Sequence, residues 1–401
     1  MAARSWQGTN LPRVGGFNRA VVLDAIRARG QVSRVELAER TGLTAQTMSN
    51  IVRALIDDGL VVEDGQAPST GGKRRVLLRV VPDAYSAIGL HLDPERITGV
   101  LLDLAGGVRL RCQRRVPAGA SPTAVIGALG RAVRQLARRS PAAVLGVGLA
   151  VPGPLDAQQR QVLAPPNLDG WSDVALADAL QERVGLPVVM DNDATAAAIG
   201  ERWAGAAGSF VYAHLGSGVG VGVVLGDQVY RGISNNAGEI GHIGTGSGGR
   251  SCRCGRRGCL EAYSSMRAVV EEWRAARPGA ADACESVSAQ YELLCRRAAD
   301  GDVLAVRVLR QAAARLGYAL ATVVSTLDVD HVVLGGPGLR HVEELVRAKV
   351  ESVLRANAWA AHVRPIHVRP ALVGEDAGAV GAASLVLDHA YSPRLATLLG
   401  G

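Results

Sequence analysis

The chain has 401 residues, of which 48% are hydrophobic and 20% are charged, so it can build roughly two or three globular domains and is not a disordered or fibrous chain. It contains no apolar run of about 18 residues to suggest a membrane span, and its first sixteen residues lack the apolar centre of an export signal. Of the net charge of +7, residues 1–82 contribute +5, from twelve Lys/Arg against seven Asp/Glu. We therefore expect a cytoplasmic protein whose N-terminal segment meets a polyanion.

Regular structure begins with three predicted helices. Apolar residues recur at helical spacing through residues 17–29, which predicts the first helix. Ser33 is placed to cap a second, shorter helix, with Glu36 at the capping-box position. Residues 41–43 predict a tight turn, after which Thr44 caps a third helix with an apolar inward face. Two helices joined by a short glycine-bearing turn form a helix-turn-helix.

The residues after the third helix predict a wing. Segments 60–63 and 76–80 flank a Gly/Pro/Ser-rich turn and predict a hairpin with a basic tip. Gln and Asn pair with adenine in the major groove, and a basic wing reaches phosphates or the minor groove. We therefore predict a winged helix-turn-helix DNA-binding domain with an N-terminal arm over residues 1–82; a dimerisation or protein-docking module is the alternative. The candidate DNA contacts are Thr44, Gln46, Thr47, Ser49, Asn50, Arg53, Lys73, Arg74 and Arg75.

The larger region, residues 83–401, alternates apolar strands with helices and glycine turns, which predicts an α/β fold. Three predicted strands between residues 85 and 116 precede a helix at 121–138 and a buried strand at 143–151. The order recurs with three short strands between Phe210 and Gly232. We expect two similar lobes that face a cleft, with ligands at strand ends and helix N-termini.

Three cysteines and a histidine lie close together in the second half of this region. The Cys-x-Cys-x4-Cys spacing and the glycine-rich loop suit a structural Zn²⁺ ion, which prefers four tetrahedral Cys or His ligands. Disulfides are the alternative, but a one-residue gap does not suit disulfide geometry and the chain shows no export signal. The predicted metal ligands are His242, Cys252, Cys254 and Cys259.

Several motifs in this region occur together. They are Val147–Pro154, Ala164–Leu168, Gly170-Trp171, Asp191–Asp193, Leu215–Gly220 and the segment from Ala237 to Glu261. Together they resemble the ROK family, which groups bacterial sugar kinases with sugar-responsive repressors. The resemblance runs from about residue 85 almost to the C-terminus and implies a two-lobed actin-like ATPase (ribonuclease H-like) fold. Fusion to a winged helix resembles the repressor branch of the family.

The resemblance also implies a sugar site. Asn192, Asp193, Glu239, His242 and Glu261 match the family's sugar contacts, and Asp193 matches its catalytic base. These side chains suit sugar hydroxyl groups, each of which both donates and accepts hydrogen bonds. His242 would bind zinc through one ring nitrogen and face the sugar with the other. The alternatives are a helix cap for Asn192 and Asp193, and solvated surface acids for the two glutamates.

The chain departs from the kinase pattern at the loop that receives ATP phosphates. ROK kinases carry Asp-x-Gly-Gly-Thr there, whereas residues 91–95 are His-Leu-Asp-Pro-Glu. Pro94 removes a donor N–H, and the two acids place negative charge where phosphates would bind. The metal-supporting Asp is replaced by His91. A second glycine loop at 216–220 survives but is weak evidence. We therefore predict that the chain is not an enzyme and that Asp193 is a vestigial base.

These observations predict a sugar-responsive transcriptional regulator, most simply a repressor of carbohydrate uptake or metabolism genes. Its partners would be a double-stranded DNA operator and a sugar or sugar-phosphate effector in a zinc-supported cleft. Paired half-sites imply a homodimer or homotetramer, and no membrane partner is expected. The rival hypothesis is an ATP-dependent, glucokinase-like sugar kinase with an accessory DNA-binding module. A zinc-stabilised scaffold without a small ligand is a third.

Overall fold

The structure is a computed structural model. It describes residues 11–67, 74–117, 119–156, 158–168, 170–244, 248–277 and 286–391. Among these residues, no helix combines the length and the apolar character needed to cross a membrane.

The N-terminal elements form a three-helix unit with a small sheet. They are α1 (Leu11–Arg29), β1 (Val32–Ser33), α2 (Arg34–Thr41), α3 (Ala45–Asp57), β2 (Val61–Gln66) and β3 (Val76–Val80). The strand order is β1-β3-β2, and all pairs are antiparallel. The first helix begins at Leu11, six residues before the predicted start, because the pattern of apolar residues marks only its buried part.

The predicted helix caps are present. The Ser33 hydroxyl accepts from the backbone N–H of Glu36, and the Glu36 carboxylate accepts from the N–H of Ser33 at 2.8 Å, so the capping box is complete. Thr44 accepts from the N–H of Thr47 at the start of α3. Both α2 and α3 thus begin where the sequence predicts, which fixes the turn between them.

The first lobe of the larger region is a five-stranded sheet of order β10-β7-β4-β5-β6. Strands β4 to β6 are an antiparallel meander, and β7 and β10 run parallel to β4. β4 and β5 are buried along most of their length because helices cover both faces of the sheet. The elements are β4 (Ser86–Asp93), β5 (Arg96–Asp103), β6 (Val108–Arg115), α4 (Pro122–Ala137), β7 (Val144–Val151), β8 (Leu155–Asp156), β9 (Gln161–Val162), α5 (Leu176–Val184), β10 (Val188–Asn192) and α6 (Asp193–Trp203).

The second lobe repeats this plan. Its sheet has the order β13-β12-β11-β14-β15, again a meander followed by two strands parallel to its first strand. A four-helix layer, α8 to α11, covers one face and builds a continuous apolar core. The elements are β11 (Phe210–Leu215), β12 (Val219–Leu225), β13 (Gln228–Tyr230), α7 (Glu261–Ser264), α8 (Met266–Ala275), α9 (Val287–Ala299), α10 (Val303–Leu327), β14 (His331–Gly335), α11 (Glu343–Asn357), β15 (His367–Pro370) and α12 (Ala377–Tyr391).

The two lobes meet through a pair of helices. α6 packs on β11 and β12 of the second sheet, α12 packs on β4 and β7 of the first, and the two helices pack against each other. Their contact surfaces are made of alanine and glycine, which lets the backbones approach closely. A Cβ atom on Gly381 would lie 2.0 Å from the carbonyl oxygen of Ala196, so only glycine fits there. The cleft between the lobes therefore has a tightly packed floor.

The winged helix rests on this helix pair. The Arg27 guanidinium of α1 lies 3.9 Å from the centre of the Trp203 ring, at the end of α6, and donates a hydrogen bond to the Trp203 carbonyl oxygen. Asp24 holds the same guanidinium at 2.8 Å. α1 also contacts α12. The last residue of α6 is thus a contact between the two parts of the chain.

Candidate functional site

The predicted sugar contacts line one cavity between the lobes. Asn192 ends β10 and Asp193 begins α6, so a strand end and a helix start deliver both side chains. Glu239 and His242 flank a short 3₁₀ turn, and Glu261 is the first residue of α7. All five residues belong to the lining of the same cavity. The chain thus brings together side chains that lie up to 69 positions apart.

Asn192 serves as the predicted helix cap. Its side-chain oxygen accepts from the backbone N–H groups of Ala194 at 2.9 Å and Thr195 at 3.4 Å. Its amide nitrogen donates to the Glu239 carboxylate at 3.3 Å. The cap fixes the orientation of the amide, and the amide in turn positions a cavity acid.

The two glutamates are not solvated surface acids. Burial, together with the negative charges of Asp193 and Glu261, raises the pKa of Glu239 to about 7. Burial also raises the pKa of Glu261, although its carboxylate accepts from the N–H of Val219 at 3.4 Å. Three carboxyl groups therefore share one poorly hydrated space. No Lys or Arg belongs to the described lining of the cavity.

Two further polar side chains of the cavity lining, Asn167 and His214, were not among the predicted sugar contacts. Asn167 belongs to the Ala-Pro-Pro-Asn-Leu motif, which supplied a signal that went unused. His214, the penultimate residue of β11, carries no motif signal and reaches the cavity only because β11 ends there. A larger groove adjoins the cavity, shares Asn167 and Glu261 with it, and bears arginines at 250, 253 and 267.

The predicted metal ligands converge. One ligand atom from each of them lies within 4.8 Å of all the others. The Sγ atoms of Cys254 and Cys259 are 3.7 Å apart, and Cys252 Sγ lies 3.8 Å from Nδ1 of His242. Zn–S bonds of 2.3 Å in a tetrahedron place sulfur atoms about 3.8 Å apart, so the cluster has the size that Zn²⁺ requires.

Burial opposes the ionisation of the clustered thiols, and a bound cation would offset this effect. Burial raises the pKa of Cys252 to about 12, and the neighbouring Cys254 adds to the effect. At Cys254 burial is outweighed by hydrogen bonds from the backbone and side chain of Arg256, which lower its pKa to about 7. The Cys254 thiolate thus forms readily while Cys252 and Cys259 resist ionisation, and a bound divalent cation would stabilise the thiolate form of all three.

The altered phosphate loop, residues 91–95, binds another part of the same chain. The Glu95 carboxylate accepts the backbone N–H groups of Val287 at 3.1 Å and Ser288 at 3.2 Å, the first two residues of α9. Asp93 accepts the N–H of Glu95 at 3.2 Å, so this backbone donor is used within the turn. A turn of the first lobe is thereby bound to a helix N-terminus of the second lobe, the kind of site that otherwise attracts phosphate.

The predicted DNA contacts form a polar surface on α3. Gln46, Asn50 and Arg53 are exposed, and the Gln46 amide donates to Asn50 at 3.4 Å. The Thr44 hydroxyl is exposed but is engaged as the helix cap with Thr47. The remaining candidates divide as follows: Ser49 is half-buried, Arg74 and Arg75 are exposed at the base of the wing, and Lys73 and the arm before Leu11 lie outside the described residues.

Comparison with known proteins decides the family. The model of the ROK family matches residues 87–389, well over half of the chain. The chain belongs to the ROK family. Ahead of the ROK region, a MarR family model matches residues 16–75, which covers the helix-turn-helix and the start of the wing.

Two relatives that match most of this ROK protein are named as regulators. The xylose repressor of Bacillus subtilis is 29% identical over 378 residues, which cover 93% of this chain and 95% of the repressor. The DNA-binding transcriptional dual regulator NagC of Escherichia coli is 25% identical, with 87% of each chain covered. The expected resemblance to the repressor branch is confirmed.

Solved structures confirm the fold. A ROK family transcriptional regulator, a homologue of the E. coli MLC protein, superposes with a TM-score of 0.76 at 23% identity and covers 97% of this chain and 100% of its own. A ROK family glucokinase from Streptomyces griseus, in complex with glucose and AMPPNP, is 31% identical with a TM-score of 0.67. The kinase covers 75% of this chain, so it lacks a counterpart for about a quarter of it. The winged helix followed by a two-lobed, actin-like ROK region is thus established.

Proposed function

We propose that the protein is a sugar-responsive transcriptional repressor that acts in the cytoplasm. It binds a double-stranded DNA operator through the exposed face of α3 and the wing, and a sugar in the interlobe cavity. The main support for the proposal is that α6 connects the cavity with the DNA-binding domain. This helix begins with Asp193 in the cavity and ends with Trp203, which holds Arg27 of the DNA-binding domain.

The cavity suits a sugar because its polar groups are fixed and few. Asn192 and Glu239 hold each other, so their remaining donor and acceptor sites point in set directions. Asp193 accepts the N–H of Ala194 through one oxygen at 2.7 Å, and its other oxygen lies 3.9 Å from Nε2 of His91. Hydroxyl groups of a sugar can both donate to these acids and accept from the amide.

We infer that the effector is an uncharged sugar and not a sugar phosphate. The cavity lining combines Asp193, Glu239 and Glu261 with no Lys or Arg among the described residues, so a phosphate dianion would be repelled. A sugar phosphate would have to extend past Glu261 into the arginine-bearing groove. Relatives named as xylose and N-acetylglucosamine repressors support a carbohydrate effector of this general kind.

A structural Zn²⁺ ion would support the cavity from below. His242, Cys252, Cys254 and Cys259 would hold it, and the ion would fix the imidazole of His242 without taking part in chemistry. Since Nδ1 of His242 faces Cys252 and the residue also lines the cavity, its other edge is available to the sugar.

Sugar binding would change the affinity for DNA through a small change in the angle between the two lobes. Closure of the cleft moves the start of α6, and the rigid, alanine-rich helix passes the movement to Arg27 and α1. In a homodimer or homotetramer the separation of two winged helices must match two operator half-sites, so a change in tilt lowers operator affinity.

The rival kinase function rests on the likeness to the glucokinase from Streptomyces griseus. Phosphoryl transfer needs a seat for the triphosphate, and here Glu95 occupies the N–H groups of α9 beside the altered loop. We infer that the chain is not an enzyme. Coupled ADP release with glucose, N-acetylglucosamine, mannose or xylose, abolished by Asp193→Asn, would reverse this assignment.

The direct test combines operator and effector. Purified protein should retard DNA from upstream of its own coding region or of a neighbouring sugar-uptake operon, and one sugar of the panel should release it. Gln46→Ala together with Asn50→Ala should lose retardation while the sugar still raises the melting temperature. Absence of retardation at low salt would overturn the proposal. A larger response to a sugar phosphate than to its parent sugar would overturn the uncharged effector alone.

A further inference from the structure

A second cluster of ligating side chains lies beside the sugar cavity. His91 comes from β4 of the first lobe, His214 from β11 of the second, and Asp193 from the start of α6 between them. One nitrogen or oxygen atom from each lies within 4.8 Å of the other two. The three residues come from three elements and meet where the lobes face each other.

The geometry is close to that of a bound ion. His91 Nε2 lies 3.9 Å from Oδ2 of Asp193, and the His91 and His214 rings stand edge to face with centroids 5.7 Å apart. Ligand atoms on adjacent positions of an octahedral ion are about 3 Å apart, from bond lengths of about 2.1 Å. The separations in the cluster, 3.9 Å for the His91–Asp193 pair and at most 4.8 Å for the others, exceed this value by about 1–2 Å, and side-chain rotation would close the difference.

Both histidines are buried, and one of them has a ring nitrogen without a hydrogen-bond partner among the described residues. His91 is 8% exposed and His214 is 3% exposed. Nδ1 of His214 is inaccessible and has no hydrogen-bond partner among the described residues. Since buried polar nitrogen atoms are nearly always satisfied, a missing interaction is indicated at this ring.

The charge of the surroundings favours a cation. Asp193 contributes a carboxylate that lies beside both imidazoles. Asp193 and His214 line the cavity that also contains Glu239 and Glu261, and the described lining of this cavity has no Lys or Arg. His91 lines a neighbouring pocket in which Arg96 and Arg340 are accompanied by three carboxylates, those of Asp93, Glu375 and Asp376. Two imidazoles with one carboxylate are a ligand set for Zn²⁺, Fe²⁺, Co²⁺ or Ni²⁺, and not for Mg²⁺ or Ca²⁺, which prefer oxygen.

We propose that His91, Asp193 and His214 bind a divalent transition-metal ion that bridges the two lobes. The site is separate from the Cys3His cluster and is open on the cavity side, where water or a sugar hydroxyl group completes the coordination. Binding of the ion joins the lobes across the cleft, so it favours the closed arrangement and adds to the affinity for sugar. The metal site itself does not depend on the protein being a repressor.

The test is metal binding by the full-length protein in the absence of sugar. The protein is first saturated with zinc and freed of loosely bound metal, and elemental analysis should give one zinc per chain. Co²⁺ is then titrated by calorimetry and by absorption. We expect one further equivalent, with weak d–d bands and without the intense thiolate-to-cobalt charge-transfer bands that a Cys3His site gives.

Variants decide where this second equivalent binds. His91→Gln and His214→Gln should weaken it at least tenfold while the single zinc is retained. His331→Gln is the matched control, because His331 also lies beside another histidine, His367, but is exposed. A second equivalent unchanged in both site variants, or none at all in the wild type, would overturn the proposal.

A spectroscopic measurement covers the case in which the buried variants fail to fold. Cu²⁺ bound to the zinc-saturated wild-type protein should show electron-spin-echo modulation from the remote nitrogens of two imidazoles. Modulation from one or no imidazole would contradict the assignment. Operator retardation does not enter either measurement, so failure of the metal site and failure of the repressor function are distinguishable.

Discussion

The acidic side chains at the two ends of the interlobe cleft differ in their partners. We call the part around residues 91–95 the phosphate end and the part around Asp193, Glu239 and Glu261 the sugar end. At the phosphate end three acids bind partners from other elements: Glu95 binds the N-terminus of α9, Glu375 pairs with Arg340, and Asp376 pairs with Arg111 at 2.8 Å. At the sugar end Asp193, Glu239 and Glu261 form no salt bridge with Lys or Arg within the described part of the chain. Acids with such partners close the cleft. Acids without a Lys or Arg partner, called unpaired below, leave binding capacity for a ligand, and of these three Asp193 lies near a histidine, His91 at 3.9 Å.

Loss of the zinc ligands should produce the largest effect, because it removes the support of the sugar end. In Cys254→Ser we expect loss of bound zinc, a melting temperature lower by several degrees or more, and loss of the sugar response, since structural zinc sites contribute directly to folding. Zinc content and sugar-dependent operator release are the measurements. Cys112→Ser, at a thiol outside the cluster, should retain both. A full sugar response in zinc-free protein would contradict the support role.

Replacement of an unpaired acid should change the pH dependence of stability. The pKa of Glu239 is about 7 in the folded protein and near 4.5 when unfolded, so the folded state binds more protons between these values and stability falls as pH rises. Glu239→Gln removes this loss and should stabilise the ligand-free protein at pH 8 by up to roughly 3 kcal/mol. It should also weaken sugar binding by roughly 10- to 100-fold.

Chemical denaturation at pH 5 and pH 8 checks the stability effect, and calorimetry with the effector sugar checks the affinity. Glu182→Gln, at an exposed acid of α5, is the control and should show neither change. Equal stabilities of wild type and Glu239→Gln at pH 8 would mean that the acids at the sugar end are better compensated than the structure indicates.

Replacement of a paired acid should have the opposite sign. Glu95→Gln keeps the shape but removes the charge that α9 stabilises, so we expect a loss of about 1–2 kcal/mol, reduced by partial exposure to solvent. Hydrogen–deuterium exchange should increase at the start of α9. Because hydrogen bonds lower the pKa of Glu95, the wild-type advantage should be present at pH 7 and fade below pH 4.5.

Glu344→Gln serves as the control for this substitution. Glu344 also lies in the first turn of a helix, α11, but its partner Arg347 belongs to the same helix. It should leave exchange at α9 unchanged. An unaltered rate of exchange in Glu95→Gln would show that the contact between the lobes does not hold the phosphate end closed.

Sequence reasoning predicted the sugar end better than the phosphate end. The caps at Ser33 and Thr44, the Cys3His cluster and the strands of both lobes are local patterns, and such patterns are visible in a single sequence. The sequence also indicated that acids at 93 and 95 oppose phosphate binding. It could not show that Glu95 binds α9, because that contact joins residues 192 positions apart in a geometry set by the packing of α6 on α12.

The convergence of His91 and His214 escaped prediction for the same reason. Each histidine lies near the end of a buried strand in a different lobe. The sequence marked His91 only as a departure from the kinase loop, and His214 belongs to no motif. Only the shared topology of the two sheets places both strand ends at one point of the cleft. Long-range convergence of this kind follows from the fold and not from local sequence.

The smallest expected change in stability is at the C-terminal end of α6. In the proposed function, the effect of sugar binding at the other end of this helix reaches the DNA-binding domain here. Arg27→Gln removes the guanidinium from the Trp203 ring and its hydrogen bond to the Trp203 carbonyl, at a cost of about 1 kcal/mol. We expect normal sugar affinity and normal operator binding but weaker release of the operator by sugar. Arg29→Gln, exposed on the same helix, should behave as wild type. If sugar releases the Arg27→Gln protein normally, the signal does not pass through this contact, and α12, which also touches α1, becomes the remaining route.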